Sequence, residues 1–507
     1  MKKSPRAPSR RAVMEIPTAA EGTPADAPLY TQLYRRFREA ILSGALDAGS
    51  RLPSARTLAA DLRVSRNTVE AAFLQLTSEG FVVRRVGSGT VVSASVADQA
   101  PFSRLGQRGK AGIVLRSEAA PALPPTGQLS RRGKVLSDHG KAIIETDSPI
   151  GPCSTDVTGF PVATWNRLLA RSARRAGVSP FQQANSFGLP ALRTAIASHA
   201  KLTRGVQAEP EQVIVVSSTQ QAIDLAARLL LDPGSIALVE EPGYPAARSA
   251  LIAAGAAVRT ISVDDDGIVA NELGAIPRAR LLYVTPSHQF PLGVTMTLPR
   301  RLALLRWAAA TGAWIIEDDY DSEFRYRGRP IAALQGLDRS GRVLYLGTCN
   351  KVLFPGLRLA YLIVPTGLVD AFAAARRIVD GFSSPLMQSV LADFMAGGHF
   401  AAYLRQARDH YAACRDALAG RMQSAWEGAA RLGASDTGLH LVAHLPAVRD
   451  DARVAGAAPP NGLGVAPLSR YYYGRAKQRG LMLSYGATTP EQIVRSVDAL
   501  APAVRRR

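Results

Sequence analysis

Trp314-Ile-Ile-Glu-Asp-Asp-Tyr-Asp321 and, some two dozen residues on, Tyr345-Leu-Gly-Thr-Cys-Asn-Lys-Val-Leu-Phe-Pro-Gly-Leu-Arg358 are the stretches that decide the fold. Each opens as a short apolar run and ends in polar residues. Runs without polar alternation mark strands buried on both faces of a mostly parallel sheet. Val213–Val216, Ile236–Val239, Leu281–Val284 and Leu359–Val364 have the same character, with helix-period stretches such as Gln220–Leu231 and Arg300–Ala310 between them. The expected fold is α/β, helices covering both faces of the sheet. From about Ser389 long helices and a weaker sheet signal predict a smaller carboxyl-terminal α+β lobe.

The chain of 507 residues exceeds what one core fills, so two or three domains are expected. Residues 1–28 are rich in Pro, Ala, Arg and Thr without periodicity and predict a disordered arm. Residues 29–93 form a separate helix-dense unit, and 94–145, rich in Gly, Pro, Ser and Arg, predict a linker before the α/β region 146–507. No apolar run approaches the ~18 residues that span a bilayer. The start, MKKSPRAPSRRAV, has no apolar core of the kind a secretory signal needs. Cys153, Cys349 and Cys414 are widely spaced, without metal-ligand spacing, which suits a reducing cytoplasm and predicts no metal centre. The net charge is +20, and residues 1–145 hold 22 Lys+Arg against 12 Asp+Glu, a net of +10. Half of the excess therefore lies in under a third of the chain, a field that favours a polyanionic partner.

Within residues 29–93, Leu29, Leu33, Phe37, Ile41 and Leu42 follow helical spacing up to Gly44. Ser54 and Ser65 are N-cap candidates for two further helices, the last stopped by Gly80. Phe81–Val92 then reads as two strands around a glycine turn. Three helices and a hairpin make a winged helix-turn-helix. Ser65, Arg66, Asn67 and Thr68 fall in the first turn of its recognition helix, where side chains reach base edges. An arginine there can hold guanine through two parallel hydrogen bonds. Arg56, with Arg84, Arg85, Gly87 and Gly89 on the wing, suits phosphate or minor-groove contact, which adds affinity without sequence information.

In the α/β region an amine, a carboxylate and a phenol stand at strand ends. Pyridoxal phosphate requires a Schiff-base lysine, a carboxylate on its pyridine nitrogen, a partner for its phenolic oxygen and a phosphate cradle. Lys351 is the candidate amine, Asp318 the carboxylate and Tyr320 the phenol. Ser217-Ser-Thr-Gln-Gln221 leads from a strand into a helix, so Ser218, Thr219 and Gln220 can offer N–H groups and hydroxyls to an anion. Thr348, Asn350 and Arg358 flank the lysine and complete the cradle, and Tyr244 can stack over the ring. Glu317, Asp319 and Asp321 read as loop-end carboxylates paired with Arg325 or Arg327.

The amino-terminal unit resembles the GntR family of bacterial regulators through Pro28-Leu-Tyr-x-Gln-Leu33, Leu-Pro-Ser-x-Arg56, Val-Ser-Arg-Asn-Thr-Val69 and Gly87-Ser-Gly-Thr90. The remainder is similar to class I aminotransferases of pyridoxal phosphate fold type I through Glu-Glu-Pro-Gly-Tyr244, Val-Thr-Pro-Ser-His-Gln-Phe-Pro-Leu-Gly293, Ile-Glu-Asp-Asp-Tyr-Asp-Ser-Glu-Phe-Arg-Tyr326 and Tyr-Leu-Gly-Thr-Cys-Asn-Lys351. Joined, they resemble the MocR subfamily. That resemblance implies a head-to-tail homodimer, a linker that crosses between subunits, and control of operator DNA by bound pyridoxal phosphate or a small amine.

Against the aminotransferase pattern the chain departs at four places. Leu481 stands where an arginine holds the substrate α-carboxylate, with Arg479 as a substitute nearby. Phe290 replaces the asparagine that touches the phenolic oxygen, leaving Tyr320 with His288 or Gln289. Gln183-Ala-Asn-Ser-Phe-Gly188 lacks the tyrosine that reaches a neighbouring subunit's phosphate, and Asn350 replaces a serine. Two readings follow: a cofactor-sensing transcriptional regulator, or an active transaminase carrying a DNA-binding appendage. The missing carboxylate clamp favours the first.

Overall fold

The computed structural model describes residues 28–85, 89–94, 129–144, 155–177, 182, 184–328, 331–434, 436–448, 450–459 and 462–505. The chain divides into two units, Met1–Leu123 and Pro124–Arg507.

The first unit contains α1 (Leu29–Leu42), α2 (Ala55–Leu62), α3 (Arg66–Ser78), β1 (Val82–Arg85) and β2 (Gly89–Val92). Leu33, Phe37, Ile41, Leu58, Val69 and Phe73 are buried together, with the Phe37 and Phe73 rings edge to face at 5.7 Å. Ser54 Oγ accepts from Thr57 N and Ser65 Oγ from Thr68 N, so both helices after α1 have the caps their sequences predict. Each cap contributes about 1 kcal/mol. Gly80 takes φ +79 just past α3, a left-handed conformation that glycine adopts without a Cβ clash. β1 and β2 pair antiparallel as the wing. Most of the predicted arm and Gly87 lie outside the described residues.

The second unit begins with α4 (Arg131–Ile144), α5 (Val162–Ala176) and α6 (Pro190–Arg204). Then come β3 (Val213–Val216), α7 (Thr219–Leu230), β4 (Ile236–Glu241), α8 (Pro245–Ala253), β5 (Ala257–Asp264), β6 (Gly267–Ile268), β7 (Ala279–Val284), α9 (Leu298–Thr311), β8 (Trp314–Asp319), β9 (Val343–Thr348) and β10 (Ala360–Ile363). Among the described residues these strands form one sheet in the order β3-β10-β9-β8-β7-β4-β5-β6. β9, β8, β7, β4 and β5 run parallel, while β10 and β6 run antiparallel to their neighbours. Alternation of strand and helix produces this arrangement, and the carboxyl ends of parallel strands gather functional side chains at one rim. The stretch read as a linker has structure at its end: α4 packs on α8, with Arg132 Nη2 donating to Ala253 O at 2.8 Å. Its Arg-Arg-Gly-Lys opening masked a helix whose later residues, Val135, Leu136 and Ile143 among them, have helical spacing.

The carboxyl-terminal part holds α10 (Val369–Val379), α11 (Pro385–Ala396), the long α12 (His399–Ala425), β11 (Arg431–Leu432), β12 (His440–His444), α13 (Asp451–Ala455), β13 (Gly464–Pro467), β14 (Gly480–Ser484) and α14 (Pro490–Arg505). Its four strands pair antiparallel in the order β11-β12-β14-β13, a smaller lobe on the same core as the large sheet. Among the described residues no helix is long and apolar enough to cross a membrane.

Truncating Phe73 to alanine removes a ring 2% exposed at the centre of the first unit, a change that costs about 3–5 kcal/mol. Limited proteolysis of the full-length Phe73→Ala variant should then open residues 29–92 first, with the second unit surviving as a stable fragment. Protection of 29–92 equal to that of the parent would contradict this packing.

Candidate functional site

Asp318 is buried near the carboxyl end of β8. Its Oδ2 accepts from the Tyr283 hydroxyl at 2.6 Å, and its Oδ1 has no hydrogen-bond partner. Burial raises the carboxyl to about 7, against the lowering influence of the Tyr283 hydrogen bond. Glu317 and Asp319 turn to the other face of the strand. Glu317 accepts from Leu334 N and Gln335 N at 2.7 and 2.8 Å. Asp319 accepts from Arg204 Nε and the Tyr345 hydroxyl, both at 2.7 Å. Burial works against its charge, but Arg204 outweighs it and holds Asp319 below the usual carboxylate range.

The pairing expected of these acids with Arg325 or Arg327 is therefore corrected. Arg325 donates to Thr437, and Asp321 faces His288, whose Nδ1 lies 3.0 Å from each of its oxygens. Charge complementarity along the sequence gave no access to partners that only the sheet brings together.

Lys351 follows β9, and its Nζ lies 5.9 Å from the centroid of the Tyr320 ring. Its backbone carbonyl accepts from Thr155 Oγ1 at 2.7 Å, which fixes the turn. The Tyr320 hydroxyl donates to His288 O at 3.0 Å and lies 3.1 Å from His288 Nδ1. Of the two polar helpers anticipated there, His288 reaches Tyr320. The Gln289 amide instead donates to Pro242 O and Phe290 O and accepts from Leu292 N. Phe290 stands between Tyr320 and Tyr244, its ring edge-on to Tyr244 at 5.4 Å.

On the other side of Lys351, Ser218 caps α7, accepting from Gln221 N at 3.2 Å, and Thr219 is the first helical residue. Gln220 Nε2 donates to Ala246 O, and its Oε1 is buried without a partner. Thr348 is buried, its Oγ1 accepting from Asn350 N. Asn350 differs from expectation, since its amide donates to Ser217 O at 3.1 Å and accepts from Leu359 N at 2.8 Å. It ties the loop before α7 to the strand after the lysine and so shapes the cradle. Arg358 is exposed and takes φ +54, an unfavourable conformation for a residue with a Cβ. The substitute named for the missing carboxylate clamp sits beside another acid. Arg479 lies 3.7 Å from Asp451, and Leu481 is buried in β14 opposite Ala443 and Pro467.

Two features escaped the sequence. Glu240, buried at the end of β4, accepts from Thr285 N and Oγ1 at 3.1 and 2.7 Å, and burial raises it to about 7. His288, Asp321 and His440 bring nitrogen and oxygen atoms within 4.8 Å of one another. His288 hydrogen-bonds Asp321 and Tyr320, Asp321 also accepts from Leu439 N, and His440 lies 3.0 Å from Pro291 O.

In the first unit, Arg66 has a side chain 70% exposed, open to a partner, with only a 3.9 Å approach to Glu70. Arg56 and Asn67 are exposed, and Ser65 and Thr68 form the cap of α3. Arg84 Nη2 meets Glu70 Oε2 at 2.6 Å, joining wing to recognition helix. Exposed pairs of this kind contribute at most ~1 kcal/mol, so a phosphate can displace Glu70. Arg85 lies in β1. Gly89 takes φ +77, and a Cβ there would lie 3.3 Å from Arg51 Nε. Arg51 at the wing was not singled out from the sequence, because nothing local marks its bridge to Val91.

The fold and site define a winged helix-turn-helix joined to an aminotransferase-type α/β unit. Residues 29–92 match the family described as bacterial regulatory proteins, gntR family. Residues 158–469 match aminotransferase class I and II. The chain is 39% identical over 483 residues to the probable rhizopine catabolism regulatory protein MocR of Rhizobium meliloti, covering 94% of each. It is 31% identical to the HTH-type transcriptional regulator TauR of Rhodobacter capsulatus, covering 94% of this chain and 96% of that one. An archaeal alanine:glyoxylate aminotransferase crystal structure superposes with a TM-score of 0.68 at 25% identity, covering 74% of this chain and 98% of that one. The chain belongs to the MocR-type regulators of the GntR family, DNA-binding proteins with an aminotransferase-like domain. Its cofactor is pyridoxal phosphate. The buried, unpartnered Asp318 Oδ1 fits a protonated pyridine nitrogen, and the capped start of α7 fits a phosphate.

Asp318 keeps its proton to about pH 7 when folded, against an ordinary value of 3.8. The folded chain thus binds more protons through this window, and the contribution of Asp318 to stability falls as pH rises through it. In cofactor-free protein, Asp318→Asn should gain melting temperature relative to the parent as pH rises from 5 to 8, and saturating pyridoxal phosphate should reverse that ranking. A difference independent of pH would contradict it.

Proposed function

We propose that this regulator senses pyridoxal phosphate or a small amine at Lys351 and reports it to operator DNA through the recognition helix α3. What supports a sensing role over transfer is Leu481 buried in β14 at the clamp position, with Arg479 beside it 3.7 Å from Asp451. No arginine stands at the clamp position to orient an α-carboxylate.

Pyridoxal phosphate supplies an aldehyde that bonds reversibly to amines, on an electron-withdrawing ring. Lys351 would hold the aldehyde carbon. Asp318 would take the ring nitrogen, kept ionised by that cation although burial alone favours its protonated form. Tyr320 would hold the phenolic oxygen and Tyr244 cover a ring face. Ser218, Thr219, Gln220, Thr348 and Arg358 would hold the phosphate, in a loop framed by Asn350. An effector amine in the same site would compete with Lys351, free the lysine side chain and alter what Tyr320 and Asp318 meet. A few kcal/mol of differential affinity between two arrangements suffices to change which of them dominates.

At the DNA, Arg66 would read a base edge with Ser65, Asn67 and Thr68 around it. Arg56, Arg84, Arg85, Gly87 and Gly89 would contact backbone or minor groove. The protein would work in the cytoplasm as a head-to-tail homodimer, on an operator of two half-sites separated by near-whole helical turns.

Two variants separate the functions. Arg66→Ala should lose the operator footprint while keeping the cofactor's visible absorbance. Lys351→Ala should lose borohydride fixation of pyridoxal phosphate to the chain while still footprinting. A footprint that survives Arg66→Ala, or a fixed cofactor on another peptide, would overturn the respective assignment.

A further inference from the structure

His288 is tied to Asp321 and Tyr320 through both its ring and its backbone carbonyl. Its Nδ1 lies 3.0 Å from both Asp321 oxygens and 3.1 Å from the Tyr320 hydroxyl. Its carbonyl accepts the Tyr320 proton at 3.0 Å. His288 and Asp321 side chains are each 1% exposed, so these bonds form away from water, where they are strong and where their loss is costly.

Asp321 does a second thing. Its Oδ2 also accepts from Leu439 N at 3.2 Å, immediately before β12 of the small lobe. The next residue, His440, opens β12, stands 4.7 Å ring to ring from His288 and holds Pro291 O at 3.0 Å. Gly438 completes the contact. A Cβ there would lie 2.0 Å from His288 Cε1 and 2.6 Å from Asp321 Oδ2, at φ +87. The Tyr326 and Tyr485 hydroxyls both donate to Gly438 O, fixing this corner from both lobes. A line of hydrogen bonds therefore runs from Tyr320, beside Lys351, through His288 and Asp321 to the backbone N–H just ahead of β12.

We propose that the His288–Asp321 pair is a positioning device that holds the Tyr320 hydroxyl and carries the state of the Lys351 site to β12. It rests on the assignment of pyridoxal phosphate to Lys351 made above. Tyr320, on giving its hydrogen bond to a bound phenolic oxygen, would leave His288 O, and the His288 ring and Asp321 would readjust against Leu439 and Gly438. The charged and titratable groups around His288 and Tyr320 are Asp321, His440, Lys351 and, at longer range, Asp318. His440 stays neutral, because burial lowers it to about 4, and Asp321 is the acidic side chain in contact with His288.

The test uses the full chain loaded with pyridoxal phosphate. Borohydride fixation to Lys351 is checked first, and its failure in the parent would sink the cofactor assignment without touching the pair. Asp321→Asn keeps an oxygen for Leu439 N but removes the charge. It should lower the pH midpoint of the cofactor's visible band by about one unit, since a cation at Lys351 loses a buried neighbour of opposite sign. Amide exchange across 438–444 should slow when pyridoxal phosphate is added to the parent, and this difference should shrink at least severalfold in Asp321→Asn.

If Asp321→Asn does not fold, the His288 variants decide. His288→Asn places an amide nitrogen near the Nδ1 position and should retain the exchange response, whereas His288→Gln reaches toward Nε2 and should lose it. A parent-like midpoint in Asp321→Asn, an exchange response in 438–444 that survives both Asp321→Asn and His288→Gln, or a stoichiometric metal ion in the purified protein would overturn the proposal.

Discussion

A carboxyl buried at the end of a parallel strand is stable as an anion only if something answers its charge, and Asp318 has an oxygen with no hydrogen-bond partner among the described residues. Everything at this rim of the sheet is arranged around that deficit. Tyr283 on the adjacent strand donates to one oxygen and leaves the other open. Neighbouring Asp319 has its own cation in Arg204, so it does not compete for an incoming one. The site thus holds a carboxyl that burial keeps protonated to about pH 7 and that a cationic ring would ionise, and the parallel sheet supplies the rigidity that keeps the deficit from relaxing.

The same economy of contacts explains why one fold serves a different end here. Aminotransferase chemistry needs both a lysine and a guanidinium placed to orient a carboxylate. This chain keeps the lysine, has Leu481 at the clamp position, and places Arg479 3.7 Å from Asp451 beside β14. Binding energy that would orient a substrate for proton abstraction is then available to choose between conformations. The contact of Asp321 with Leu439 N offers the route by which such a choice reaches the smaller lobe.

Much of this was legible in the sequence. Continuous apolar runs ending in polar clusters predicted the parallel sheet, because strands covered on both faces cannot alternate. Ser54 and Ser65 announced their helices, since a capping hydroxyl serves only the residues just after it. Asp318, Tyr320 and Lys351 were readable as a set from residue type and order. What stayed hidden was pairing across the chain. Asp321 and His288 are separated by 33 positions, and only the adjacency of β7 and β8 brings their loops together. Local charge matching chose Arg325 and Arg327 for that reason, and nothing near Asn350 in the sequence announced its bonds to Ser217 O and Leu359 N. Helix α4 was missed because its opening turn has the composition of a linker while its partner, α8, lies over a hundred residues on.

The central claim is that the α/β unit binds pyridoxal phosphate covalently and with one site per chain. Titrating the purified full-length protein with pyridoxal phosphate and following the visible band tests it most directly. Saturation at one equivalent per chain, with the band lost when Lys351 is replaced, is the predicted result. A protein that remains colourless with excess pyridoxal phosphate would contradict the account.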